Sequence, residues 1–186
     1  GFFMDSKEVK QNCGNGAYAN LAIFSFHPVK HIACGEGGMI TTNDEKLYKK
    51  LIQLRTHGIT RDQVNFKNDL QFANGQEPEG DAYPGWYMEM QTLGYNYRLT
   101  DFQAALGISQ LKRNKEGLLR REQIAECYEK AFEGKPFILG QPGKVVGHAY
   151  HLYIIEVKNR LGLYNFLRLK KIFAQVHYIP VHLMPY

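Results

Sequence analysis

In the stretch SFHPVKHIACGEGG, residues 25–38, a lysine follows an aromatic run and a proline and precedes a glycine cluster. A lysine amine attacks a carbonyl only when it is neutral, whereas a free lysine has a pKa of ~10.4. Burial or a neighbouring positive charge lowers that value. Phe24, Phe26 and Pro28 suit burial of Lys30. Pro28 holds φ near −65° and biases His27 toward extended geometry, which stiffens the approach. Gly35, Gly37 and Gly38 allow backbone shapes and close approaches that a side chain forbids. Ser25 offers a hydroxyl for a phosphate. The same residues also suit a hairpin turn carrying a surface lysine. GEGG matches neither the Walker nor the dinucleotide fingerprint, so the spacing alone leaves both readings open.

The elements that must position these residues are legible by pattern. AYANLAIFSF (17–26) reads as a buried strand and GGMITTN (37–43) as a second. Asn43 or Asp44 then caps a helix with Leu47, Leu51 and Leu54 on one face, ending at Gly58. Residues 60–92 show no period and read as a long irregular segment. In GYNYRLTDFQAALGISQLKR (94–113), Thr100 and Gln103 form a capping-box pattern, and the helical period runs on to about Phe132. KPF (135–137) opens a connector, YHLYIIEV (150–157) reads as a strand, LYNFLRLKKIFA (163–174) as a helix and QVHYIPVH (175–182) as a strand. The order predicts a mixed α/β protein.

The chain has 186 residues, 44% of them hydrophobic, and a net charge of +5. Its basic residues are mixed with acidic ones, which argues against a nucleic-acid stripe. Cys13, Cys34 and Cys127 are too scattered for a zinc pattern and read as reduced thiols of a cytoplasmic protein; no metal site is expected. No run reaches the ~18 apolar residues of a membrane span, so no membrane partner is expected.

FSFHPVKHIACGEGGMITTND closely resembles the lysine segment of the DegT–DnrJ–StrS family of sugar-nucleotide aminotransferases, which use pyridoxal 5′-phosphate (PLP). GYNYRLTDFQAALGISQL resembles a second signature of that family and QVHYIPVHLMPY a third, in the same order. FHPVKHI and VHYIPVH look most like the transaminases of pseudaminic acid biosynthesis, which aminate a UDP-linked 4-keto-6-deoxy sugar with glutamate as amino donor. The resemblance implies that Lys30 bonds covalently to PLP and later moves protons, and that Ser25 binds its phosphate. It implies that Asn96 reaches the phosphate of the cofactor in the other subunit of a homodimer. Arg98, Tyr178 and His182 are implied on the substrate side, with pairing to Asp101 the alternative for Arg98. Relatives that dehydrate instead of aminate carry histidine at the lysine position, so Lys30 points to transamination.

The implied architecture is part of a fold-type I PLP-dependent transferase. Residues 1–112 would be part of the large PLP-binding domain, and 113–186 the connecting long helix with part of a small α+β domain. Family chains are about twice as long, so the resemblance implies a fragment. Their upstream half carries a phosphate loop, a ring-stacking aromatic and the aspartate that pairs with the pyridine nitrogen. This leads us to expect weak PLP binding and slow turnover by the 186-residue chain; the competing reading is a non-catalytic dimerisation or interaction module. Family members usually place a glycine at the helix end before the third segment. Lys171 and Ile172 stand there, predicting a strained or differently built turn.

Overall fold

Short apolar runs separated by turn residues pair locally in this chain. A computed structural model describes residues 2–75 and 81–185, in two compact units: Cys13–Gln110, and Gly1–Asn12 with Leu111–Tyr186. Strands β1 (Phe2–Met4) and β2 (Lys10–Asn12) form an antiparallel hairpin, with Phe3 opposite Gln11. The sequence reading missed this hairpin. It is built by Asp5, whose carboxylate accepts the Lys7 and Val9 amides at 2.9 Å each and the Gln11 amide at 2.9 Å.

In the Cys13–Gln110 unit, β3 (Ala22–Ser25) and β4 (Gly38–Thr41) form an antiparallel ladder in which Ala22 faces Thr41 and Ser25 faces Gly38. The expected strand over 17–26 is shortened because Asn15 bonds the Ala17 amide in an Asx turn, a conformation that competes with a ladder. Nor is the strand buried throughout: Ile23 is 80% exposed. Helix α1 (Glu45–Arg55) takes Asp44, not Asn43, as its cap, with bonds from Lys46 N (2.8 Å) and Leu47 N (3.0 Å). Asn43 instead donates to the Asn15 carbonyl.

The segment expected to be irregular is organised. β5 (Ile59–Thr60), a 3-10 turn over Gln63–Asn65, α2 (Leu70–Asn74) and β6 (Glu89–Met90) lie within it, and β5 pairs with β6. Residues 76–80 of this segment lie outside the described residues. At its centre is the buried Glu89 carboxylate. It accepts Lys67 N (2.8 Å), Asn68 N (2.9 Å), the Tyr87 hydroxyl (3.1 Å) and the Gln91 amide (3.2 Å). Burial pushes its pKa up, but the donated hydrogen bonds outweigh burial and the net direction is down. Phe66, Tyr83 and Tyr87 pack around it with ring centroids 4.7–5.6 Å apart. No period marks such a loop because one carboxylate, not an apolar face, gathers it.

Helix α3 (Asp101–Lys112) and helix α4 (Asn114–Phe132) follow, separated at Arg113. β7 (Ile138–Gly140) pairs with β8 (Glu156–Val157), and α5 (Arg160–Leu169) comes next. Only the last two residues of the expected strand 150–157 make ladder bonds. Before them, Tyr150 is buried and its hydroxyl bonds the Gly143 carbonyl and the Val145 amide, which fixes a turn instead. The helix expected from 163 begins earlier because Asn159 caps it through Gly162 N (2.8 Å). Residues 175–182 are not a strand: they run without ladder partners into a 3-10 turn at Val181–Leu183. Pro180 has no N–H to give a ladder. Among the described residues no helix is long and apolar enough to cross a membrane.

The turn after α5 is the motif that usually carries glycine. Ile172 N bonds Leu167 O (2.8 Å) and Lys171 N bonds Arg168 O (2.9 Å), a Schellman pair, with Lys171 at φ +59°. A left-handed L-residue costs ~1–2 kcal/mol, and the greater unfolded freedom of glycine takes back ~0.4–1 kcal/mol. Lys171→Gly is therefore expected to stabilise the chain by about 0.5–1 kcal/mol, read from urea unfolding midpoints. For Glu89, a depressed folded pKa means its contribution is complete above the ordinary value of 4.5 and is lost as pH falls through the lower folded value. Wild-type Trp86 fluorescence should therefore change in an acid titration below pH 4.5, and Glu89→Gln should remove that part of the pH dependence.

Candidate functional site

The β3–β4 hairpin presents Lys30 on the loop 26–37. Continuing the ladder, Phe26 N donates to Gly37 O (2.8 Å) and Cys34 N to Phe26 O (3.0 Å). These bonds close the base of the loop, so the residues between are held as a projecting unit. Within it, Lys30 N bonds His27 O at 2.9 Å, a turn set up by Pro28, and Lys30 is half-buried. Ser25 ends β3, exposed, with its hydroxyl 3.4 Å from His27 N. The glycines are not interchangeable. Gly37 has φ +151°, and a Cβ there would stand 2.8 Å from Leu99 Cδ1 and 2.9 Å from Cys34 Sγ, whereas one on Gly35 would meet nothing.

Cys34 is 1% exposed. It lies against α3 at Gly107, where an added Cβ would be 3.7 Å from Cys34 Cβ. The capping box forms as the spacing predicts: Gln103 Oε1 accepts Thr100 N (3.1 Å) and Thr100 Oγ1 accepts Gln103 N (3.4 Å). Gln103 Nε2 reaches further, to the Glu36 carbonyl at 2.8 Å. Sequence reading found the cap and missed this tether, because no local pattern signals a contact with a loop so distant in sequence.

Just before α3, the Asn96 segment lies beside the end of α1. Asn96 bridges Thr56, and Tyr95 N and Tyr97 N bond Leu54 O (2.8 Å) and Arg55 O (2.9 Å). Tyr95 and Tyr97 stack at 4.9 Å. Arg98 Nε donates to Asn96 Oδ1 (3.2 Å); this is the partner Arg98 takes, not Asp101. A guanidinium offers only donors, so it faces the amide oxygen and leaves the Asn96 NH2 to point outward. Both side chains are exposed. Ser25, Lys30, Asn96 and Arg98 thus belong to one unit. Tyr178 (82% exposed) and His182, exposed on the 3-10 turn, belong to the other.

By residue chemistry, the Lys30 amine suits the aldehyde of PLP and the Ser25 hydroxyl its phosphate, while the Asn96 amide is a further phosphate donor. This set of donors contains no carboxylate for the ring nitrogen. Asp5, Asp44, Asp62 and Asp69 each place one carboxylate oxygen on backbone amides of turns and helix starts.

The sequence profile of the DegT/DnrJ/EryC1/StrS aminotransferase family matches residues 9–186. The chain is 37% identical over 179 residues to the spore coat polysaccharide biosynthesis protein SpsC of Bacillus subtilis, covering 92% of this chain and 43% of that protein. It is 35% identical over 173 residues to a UDP-4-amino-4,6-dideoxy-N-acetyl-beta-L-altrosamine transaminase of Campylobacter jejuni, covering 90% and 40%. Among solved structures it resembles a Helicobacter pylori aminotransferase involved in pseudoaminic acid biosynthesis, with TM-score 0.69, 30% identity and coverage of 92% and 42%. The chain therefore spans about two fifths of the length of the relatives it matches, and its fold is a part of the PLP-dependent fold-type I architecture.

Gly37→Ala should destabilise the chain by about 1–3 kcal/mol through overpacking against Leu99 and Cys34. Gly35→Ala, strained only in its backbone, should cost about 1 kcal/mol. Denaturant unfolding of both variants checks the difference.

Proposed function

Since this chain belongs to the DegT/DnrJ/EryC1/StrS aminotransferase family, we propose that the whole protein transfers an amino group to a nucleotide-linked sugar. We assign the substrate as a UDP-linked 4-keto-6-deoxy sugar, in keeping with the name of the Campylobacter jejuni relative, and the donor as glutamate. The observation that carries the reading is Lys30, half-buried on a loop closed at its base, with Ser25 exposed at the end of the strand that leads into that loop.

PLP, when bound, supplies an electron sink that makes the carbon–nitrogen transfer feasible. Lys30 would hold the aldehyde end and, as a free amine, would carry a proton to or from the sugar carbon that receives nitrogen. Ser25 Oγ would donate to the phosphate. Asn96, its carbonyl oxygen taken by Arg98, offers its NH2 to a phosphate bound in the partner subunit of a homodimer. Arg98 keeps donors for an anionic nucleotide, and Tyr178 and His182 are assigned to the sugar side. Residues 1–112 are assigned to the large domain, 113–186 to the connecting helix and small domain, and the protein to the cytoplasm.

A second reading is favoured by the apolar side chains left uncovered. Phe102 is 90% exposed and Tyr97 71%, which suits a dimerisation or interaction module without turnover. One experiment separates the two. The chain is incubated with PLP, reduced with borohydride and digested, and the modified peptide is located by mass. Modification at Lys30, lost in Lys30→Ala with the other lysines unmodified, supports the enzyme reading; labelling spread over surface lysines at equal yield sinks it.

A further inference from the structure

We propose that Gln103 is a positioning residue for Lys30: its side-chain amide ties the lysine loop to helix α3. This rests on the reading of Lys30 as the cofactor-bonding amine. Oε1 of Gln103 accepts Thr100 N at 3.1 Å and the Thr100 hydroxyl at 3.0 Å. Nε2 donates to the Glu36 carbonyl at 2.8 Å. The amide cannot be turned the other way, because a backbone N–H only donates and a carbonyl only accepts.

Capping alone does not need glutamine. Glutamate serves a capping box equally well. Only glutamine adds a donor on the far side, and that donor reaches the one carbonyl to which Cys34 Sγ also points, at 3.3 Å. One turn further along the same helix face, Gly107 leaves room for Cys34. Gln103 and Gly107 together form the seat on which residues 34–37 rest. The loop is thus held twice: at its base by the β3–β4 ladder and on its flank by α3. The Asn96–Arg98 segment leads directly into α3, so the same tether keeps the phosphate-side amide and the lysine loop in one rigid unit.

The test uses the 186-residue chain with Cys13→Ser and Cys127→Ser, both exposed positions, so that Cys34 is the only thiol. Gln103→Glu keeps the cap and loses the donor. It should leave helicity and Tm near wild type, speed Cys34 reaction with a thiol reagent about tenfold, and lower borohydride-trapped PLP at Lys30 by a similar factor. Gln103→Lys keeps a donor and loses the cap; it should lower Tm with Cys34 still protected. Thr100→Ala should behave like Gln103→Lys. Wild-type Cys34 and Lys30 behaviour in Gln103→Glu overturns the proposal, as does equal exposure of Cys34 in Gln103→Glu and Thr100→Ala. A wild-type chain that takes no PLP at Lys30, while Gln103→Glu still unmasks Cys34, overturns the cofactor reading and leaves the tether supported.

Discussion

The bonds from Phe26 N to Gly37 O and from Cys34 N to Phe26 O decide whether residue 30 is part of a structure or part of a tail. Each fixes a backbone group that would otherwise need water. Together they convert a stretch rich in glycine, and so costly to order, into a loop with a defined exit. Cys34 fills the space behind that exit, and Gly37 leaves the space that Leu99 and Cys34 share. A lysine on an unclosed loop sweeps a large volume. On this loop the backbone that carries residue 30 is held at its base, which narrows the region its side chain can reach.

The acidic residues follow a different economy. Asp5, Asp44, Asp62 and Asp69 each hold turn or helix-start amides, and Glu89 gathers the loop between β5 and β6. None is poised as an acid or base for chemistry. The side chains of Ser25, Asn96 and Arg98 are exposed, and Asn96 and Arg98 keep donors available. Carboxylates thus build the frame, and neutral or cationic donors face outward, a division suited to an anionic ligand with phosphate groups.

Local chemistry was legible from residue types. The capping box at Thr100 and Gln103, a cap at Asn43 or Asp44, the connector at KPF and helical structure reaching Phe132, though broken at Arg113, need only neighbours three or four positions away. The departure at Lys171 was legible too: the missing glycine predicted a strained or altered turn, and the turn forms in its usual geometry with lysine bearing the left-handed φ. Strand assignments fared worse. Residues 175–182 and most of 150–157 have strand composition, yet a strand exists only where a partner supplies the ladder.

The amino-acid sequence by itself determined the family, since three segments of characteristic residue types stand in the family's order. Tertiary structure alone decided what holds the first two of them together. Gln103 reaching Glu36 and Cys34 resting at Gly107 are contacts between residues far apart in sequence. The Glu89 knot likewise draws in amides more than a helix length away in sequence. Such bonds leave no period in the chain, because the chain's path, not its repeat, brings the partners within reach.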